Sequence, residues 1–279
     1  MGQDDVGNLF PQSHESRLAQ SPANTLLALA GELLETHAQR DANSQALCEN
    51  IADAIARRLR DAKPEVQRWL DTRRGFDSPG ELWLLARLRT WLGQSEDASR
   101  AWNRVIERGV GPRPVRYLAR SRLRLDGGDV PGAYADLREA FRDPAGYEDM
   151  ERGYRLLRRM PREDLPTLRR VRIGVVGSFT TRLITPLIEL ACFRDGVGAE
   201  IYEAEYGLVN QEILDPTSGL RRFGPDIVIL ATSWRDARLE TFHPDPERAI
   251  QELLAPMQRL WKVCREELGC HVIQHGFDL

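Results

Sequence analysis

The sequence predicts a two-domain protein, an array of paired helices followed by an α/β domain built on a parallel sheet. Three observations lead there. The chain has 279 residues, more than one domain usually holds. Its first half repeats a pattern of small and bulky residues every 35 positions. From Arg169 onward, apolar runs of strand length alternate with periodic segments of helix length, the sequence signature of a parallel sheet with helical crossovers.

Composition narrows the function classes. Hydrophobic residues make up 42% and charged residues 29% of the chain, the balance of a soluble globular protein. A formal net charge of −3 leaves no basic footprint for nucleic acid or for an anionic membrane surface. Lys63 and Lys262 are the only lysines, so arginine carries nearly all the positive charge, as GC-rich bacterial coding produces. No run of about 18 apolar residues occurs, and the opening stretch MGQDDVGNLFPQSHES is polar and acidic, unlike a signal peptide. A cytoplasmic location is expected. Cys48, Cys192, Cys264 and Cys270 share no CxxC spacing, which predicts free, buried thiols rather than a metal site.

Residues 1–20 lack periodicity and are expected to form a disordered tail. A helical domain is expected over 21–165. Asn24-Thr25 opens one periodic segment and Ser44 a second, in which Leu47, Ile51, Ile55 and Leu59 share a face. Pro64 stands at a first-turn position. GQSEDASRAWNRVI, from Gly93, then repeats as GDVPGAYADLREAF, from Gly128, pairing Ala98 with Ala133, Trp102 with Leu137 and Val105 with Ala140. Glycine serves the tight turn, alanine the place where paired helices touch, and the bulky residue the contact with the next pair. Leu82, Leu85 and Leu92, and in the second repeat Tyr117, Leu118 and Leu125, lie on the preceding helices. The pattern resembles the tetratricopeptide repeat. Such an array serves either as a docking face for a partner protein or as a brace for the second half. Residues 147–160 predict an amphipathic closing helix, and Pro161 and Pro166 a linker.

The α/β domain is expected over 166–279. VRIGVVG is a continuous apolar run, as in a strand buried on both faces. A helix over TRLITPLIELACFRDG follows, then the strand AEIYEAEYG, a short helical stretch near LVNQEIL and the turn DPTSG. The strand PDIVILATSW, a long helix with Pro256 expected to kink it, and the strand CHVIQHGF complete the order. In an open parallel sheet, ligands bind beyond the carboxyl ends of the strands. Four segments converge there: Gly177-Ser178-Phe179-Thr180-Thr181, Tyr206-Gly207-Leu208-Val209-Asn210, Ser233-Trp234-Arg235-Asp236 and Gln274-His275-Gly276.

Neither GxGxxG nor GxxxxGK followed by Ser or Thr occurs, so no nucleotide cofactor is expected. Ser178 stands where a strand hands over to a helix. It is a candidate nucleophile, a helix cap or a hydroxyl that positions a ligand. His275 is the candidate base. Gly177, Thr180, Tyr206, Gly207, Asn210 and Ser233, with Trp234, Arg235 and Asp236, are candidate substrate contacts, and amides near Gly177 and Gly207 the candidate oxyanion donors.

A serine just past the first strand is similar to that of SGNH-type esterases, which carry it in a Gly-Asp-Ser context. Here the order is Gly177-Ser178-Phe179, and the third loop offers Ser233 and Trp234 where that family has an asparagine. Read as a whole, residues 171–279 resemble the amino-terminal SGNH-like portion of the FkbH-like proteins through Gly177-Ser178-Phe179-Thr180, Glu205-Tyr206-Gly207, Asp215 to Ser218, Pro225-Asp226 and Gln274. The resemblance implies an SGNH/flavodoxin-like fold in a bacterial natural-product pathway. It also implies an acyl or phosphorylated three-carbon substrate and an acyl carrier protein as partner. The Asp-x-Asp-x-Thr phosphatase motif of that family is absent. The sheet is expected to be incomplete at its C-terminus, the chain being the front of a longer protein.

Overall fold

The computed structural model describes residues 62–72, 75, 79–161, 169–233, 236 and 244–276. The expected tail, the helices opened by Asn24-Thr25 and Ser44, and Cys48 lie outside the described residues. By packing, the chain divides into two compact units, Met1–Asp143 and Pro144–Leu279.

The described part of the first unit is helical: α1 (Lys63–Thr72), α2 (Pro79–Leu92), α3 (Ser95–Glu107), α4 (Arg113–Asp126) and α5 (Val130–Ala140). The 35-residue repeat is physical. Gly93, between α2 and α3, and Gly128, between α4 and α5, hold φ of 78° and 82°, a left-handed conformation that glycine adopts without a Cβ penalty. The same capping hydrogen bond closes both turns, from Gln94 N to Arg89 O at 3.1 Å and from Asp129 N to Arg124 O at 2.8 Å. Ala98, Trp102 and Val105 are fully buried, and so are their counterparts Ala133, Leu137 and Ala140. Trp83 and Trp102 meet edge to face at 5.1 Å between ring centroids. Arg120 grips the buried Asp136 through two hydrogen bonds of 2.8 and 2.6 Å, tying α4 to α5.

The second unit opens with α6 (Tyr147–Leu157) and continues as β1 (Arg169–Gly177), α7 (Thr185–Arg194), β2 (Val197–Glu203), α8 (Val209–Leu214), α9 (Gly219–Phe223), β3 (Ile227–Ala231), α10 (Pro246–Glu266) and β4 (His271–Gln274). The helix expected to close the array is α6. It packs against α7 instead, so it belongs to the α/β unit. The four strands are parallel in the order β2-β1-β3-β4, the doubly wound order of flavodoxin-like sheets. Ile173 to Gly177 of β1 are buried without a break, as the unalternating apolar run requires. Val176, Val228 and Leu230 are wholly buried, with Leu220, Leu260 and Cys264 packed into the same cluster.

The differences in detail have local causes. β2 stops at Glu203 because Glu205–Leu208 turn back toward β1. The turn at 215–219 runs into α9, a helix the sequence reading missed, capped by Ser218 Oγ accepting from Arg221 N at 3.2 Å. α10 continues through Pro256 to Glu266, although proline leaves the Glu252 carbonyl without its helical donor. Cys264 and Cys270 are buried free thiols, and Cys192 is half-buried. Among the described residues no helix is long and apolar enough to cross a membrane.

Candidate functional site

β1 and β3 are neighbours at the point where the strand order reverses, and open parallel sheets bind ligands in the crevice beyond the carboxyl ends of such strands. Ser178 stands at its edge. Its N–H donates to the Ala231 carbonyl at 3.0 Å, extending the β1–β3 ladder by one residue and fixing the start of the loop. A Cβ on Gly177 would lie 2.9 Å from Thr181 Cγ2, 3.1 Å from Phe179 O and 3.2 Å from Ala231 O. Only glycine fits where the chain leaves the strand.

Ser178 Oγ donates a hydrogen bond to Asp236 Oδ2. The same oxygen accepts from Ser233 N at 2.7 Å and Ser233 Oγ at 3.3 Å, while Asp236 N donates to Ser233 O at 3.0 Å. The Asp236 carboxylate thus reaches back to the Ser233 amide, as the third residue does in one half of a capping box. The signal for it was present in the spacing Ser233-x-x-Asp236. Asp236 Oδ2 thus gathers three donors from Ser178 and Ser233.

His275 continues from β4, its N–H donating to Leu230 O at 2.9 Å. Its Nδ1 lies 3.3 Å from the Thr232 carbonyl, which assigns the proton to Nδ1 and leaves Nε2 as acceptor in the neutral ring. The ring meets Phe179 edge-on at 6.1 Å. Among the described residues no hydrogen bond joins His275 to Ser178, and the partner of Ser178 Oγ is Asp236. Gln274 holds this corner: its Nε2 donates to Leu230 O, Thr232 Oγ1 and His275 O at 3.3, 2.6 and 3.0 Å, and its Oε1 accepts from Trp261 Nε1 at 3.1 Å.

The loop after β2 is fastened to the loop after β1. Gly207 N donates to Gly177 O at 3.1 Å. Thr181 Oγ1 and Thr185 Oγ1, both on buried residues, donate to the two oxygens of Glu203 at 2.7 and 3.2 Å. Glu203, the last residue of β2, was missed by the sequence reading; an acidic side chain at the carboxyl end of a strand, opposite two threonines, was its only signal. These bonds narrow the expected oxyanion donors. The amides of Ser178 and Gly207 are taken by carbonyls, whereas those of Phe179 and Thr180 meet no acceptor among the described residues.

The other candidates separate into groups. Tyr206 adjoins Gly207 and is 72% exposed. Thr180 and Asn210 are exposed, the latter in the first turn of α8. Neither has a hydrogen bond to Ser178. Trp234 and Arg235 lie outside the described residues. Behind the crevice, Tyr202 on β2 donates to Glu212 Oε2 at 3.1 Å. Burial, reinforced by that carboxylate, pushes its phenol above the ordinary range. Among the described residues no cluster of His, Cys, Asp and Glu is arranged to hold a metal.

No protein-family model matches the chain, and no curated protein matches it. Among solved structures it is similar to the N-terminal part of the protein BF1531 from Bacteroides fragilis, which contains a phosphatase domain complexed with Mg. The TM-score is 0.38 and the identity 20%, over 49% of this chain and 34% of that one. The similarity therefore spans about a third of that protein's resolved length.

Proposed function

We propose that the α/β unit handles an acyl or glyceryl ester group delivered by a carrier protein, in a bacterial biosynthetic pathway of the FkbH-like kind, with Ser178 as the hydroxyl that receives the group. The observation that carries this reading is the hydrogen bond from Ser178 Oγ to Asp236 at the switch point of the sheet. A hydroxyl is a weak nucleophile until its proton has an acceptor, and here the acceptor is in place. In the step proposed, Ser178 Oγ bonds to the carbonyl carbon and its proton passes to Asp236. The Phe179 and Thr180 amides hold the oxyanion. The carbon–sulfur bond to the carrier breaks, and the departing thiolate takes up the proton. Water or a second acceptor then takes the group from Ser178 by the reverse sequence.

A fluorophosphonate or a p-nitrophenyl ester tests this. Labelling or hydrolysis by the native protein that Ser178→Ala abolishes is the expected result. Inertness of both proteins toward both reagents, together with firm carrier binding in a pull-down, overturns it. One observation favours that second outcome, a non-catalytic scaffold whose helical unit docks a partner: His275 is turned to the Thr232 carbonyl and gives Ser178 no imidazole, a stronger base than a carboxylate.

A further inference from the structure

Six large apolar side chains are exposed among the described residues, and three of them, Leu183 at 64%, Ile184 at 43% and Tyr206 at 72%, stand on the two loops that flank Ser178. Those loops are one piece. Gly207 N to Gly177 O and the two threonine bonds to Glu203 join them, and Ile184 N donates to Thr181 O at 2.7 Å, holding the Leu183–Ile184 corner against the fastened segment. The joined loops form a lip whose apolar side chains stand in water, and an apolar occupant laid on them removes that exposure.

We infer that this lip selects the substrate: Leu183, Ile184 and Tyr206 receive an aliphatic acyl chain whose carbonyl lies at Ser178, so the transferred group is acyl rather than glyceryl. The inference rests on the proposed ester chemistry and sharpens it. The occupant follows from the adjacency. A group bonded to Ser178 Oγ has its chain beginning within one residue of Gly177, to which the Tyr206–Gly207 loop is tied. A glyceryl unit gains nothing there, because its hydroxyls are as well served by water, whereas each methylene laid on the lip leaves water.

The test uses the full chain. KM for p-nitrophenyl esters is expected to fall about 1.8-fold per added methylene, roughly tenfold from butanoate to octanoate, with kcat little changed, since partial burial yields a fraction of the full transfer energy. In Leu183→Ser and Tyr206→Ser, both substitutions of exposed residues, the gradient flattens. Binding without turnover is measured in Ser178→Ala by calorimetry with the butanoyl and octanoyl thioesters of N-acetylcysteamine, and the longer chain is expected to bind about tenfold more tightly. Equal KM values and equal affinities overturn the inference and leave the ester chemistry standing. A binding gradient without turnover of any ester overturns the chemistry and leaves the lip as a chain-binding site. A shift from dimer to monomer in sedimentation of Tyr206→Ser, with no gradient, makes the lip a subunit contact and overturns the inference.

Discussion

Ser178 and Asp236 are 58 positions apart, and the β1–β3 pairing is what brings their side chains together. Asp236 has two roles that one substitution separates. Asp236→Asn keeps an oxygen to accept from Ser233 N but cannot take a proton. If the carboxylate accepts the Ser178 proton, kcat for ester hydrolysis falls on the order of 10²- to 10⁴-fold with KM little changed. If it serves only as a cap, the loss is confined to about 1 kcal/mol of stability. Denaturant midpoints measured beside the kinetics distinguish the two. Gly177 leaves no room for a side chain: Gly177→Ala places a methyl 2.9 Å from Thr181 Cγ2 and 3.1 Å from Phe179 O. It is expected to cost about 1–3 kcal/mol in urea unfolding. Tyr202 gives a pH signature. Burial first, then the hydrogen bond to Glu212, favour its neutral form. Its contribution to stability is therefore complete below the unfolded-state value near ~10 and declines as pH rises through the higher folded-state value. Absorbance at alkaline pH is expected to show one tyrosine titrating late, and Glu212→Gln to bring it earlier.

At the scale of elements, the helical repeat shows what a sequence makes plain. Gly93 and Gly128 each sit at the turn between two amphipathic segments, and both are left-handed. The burial of Ala98 and Ala133 follows from the same spacing. The caps differ between the repeats, which the spacing alone does not reveal. Asp129 Oδ1 accepts from Gly132 N at 2.9 Å, whereas Gln94, its counterpart 35 residues earlier, makes no side-chain cap hydrogen bond. Asp129→Ala is expected to lower stability by about 1 kcal/mol, read as a shift in the thermal midpoint. In the second unit the strands were legible because β1 and β3 are buried apolar runs. The site was legible only in outline. Which loop residues meet depends on contacts of long range and opposite chemistry: Thr181 with Glu203, Gly207 with Gly177, and Ser178 with Asp236 rather than His275. α9 was hidden for the reverse reason, since five residues carry no helical period and Ser218 reads equally as a turn or a cap.

For the whole molecule, each compact unit contains a buried apolar cluster. Trp83, Trp102, Leu84 and Leu88 belong to one cluster, and Val176, Leu220, Val228 and Leu230 to another with no residue in common. Local free energies of opening should then be set within each unit. Trp102→Ala, which empties a fully buried site, is expected to cost about 3–5 kcal/mol, yet to lower hydrogen-exchange protection only in α2–α5. Gly177→Ala is expected to lower protection of the β1 and β3 amides and leave those helices as they were. In the double variant the two losses should add to within about 0.5 kcal/mol, as for sites without shared partners. Equal loss of protection in both units from either single substitution, or a coupling well above that value, means that the cores open as one. The helical unit would then act as a brace on the sheet rather than as an independent docking module, and a partner bound to the helices would be felt at Ser178.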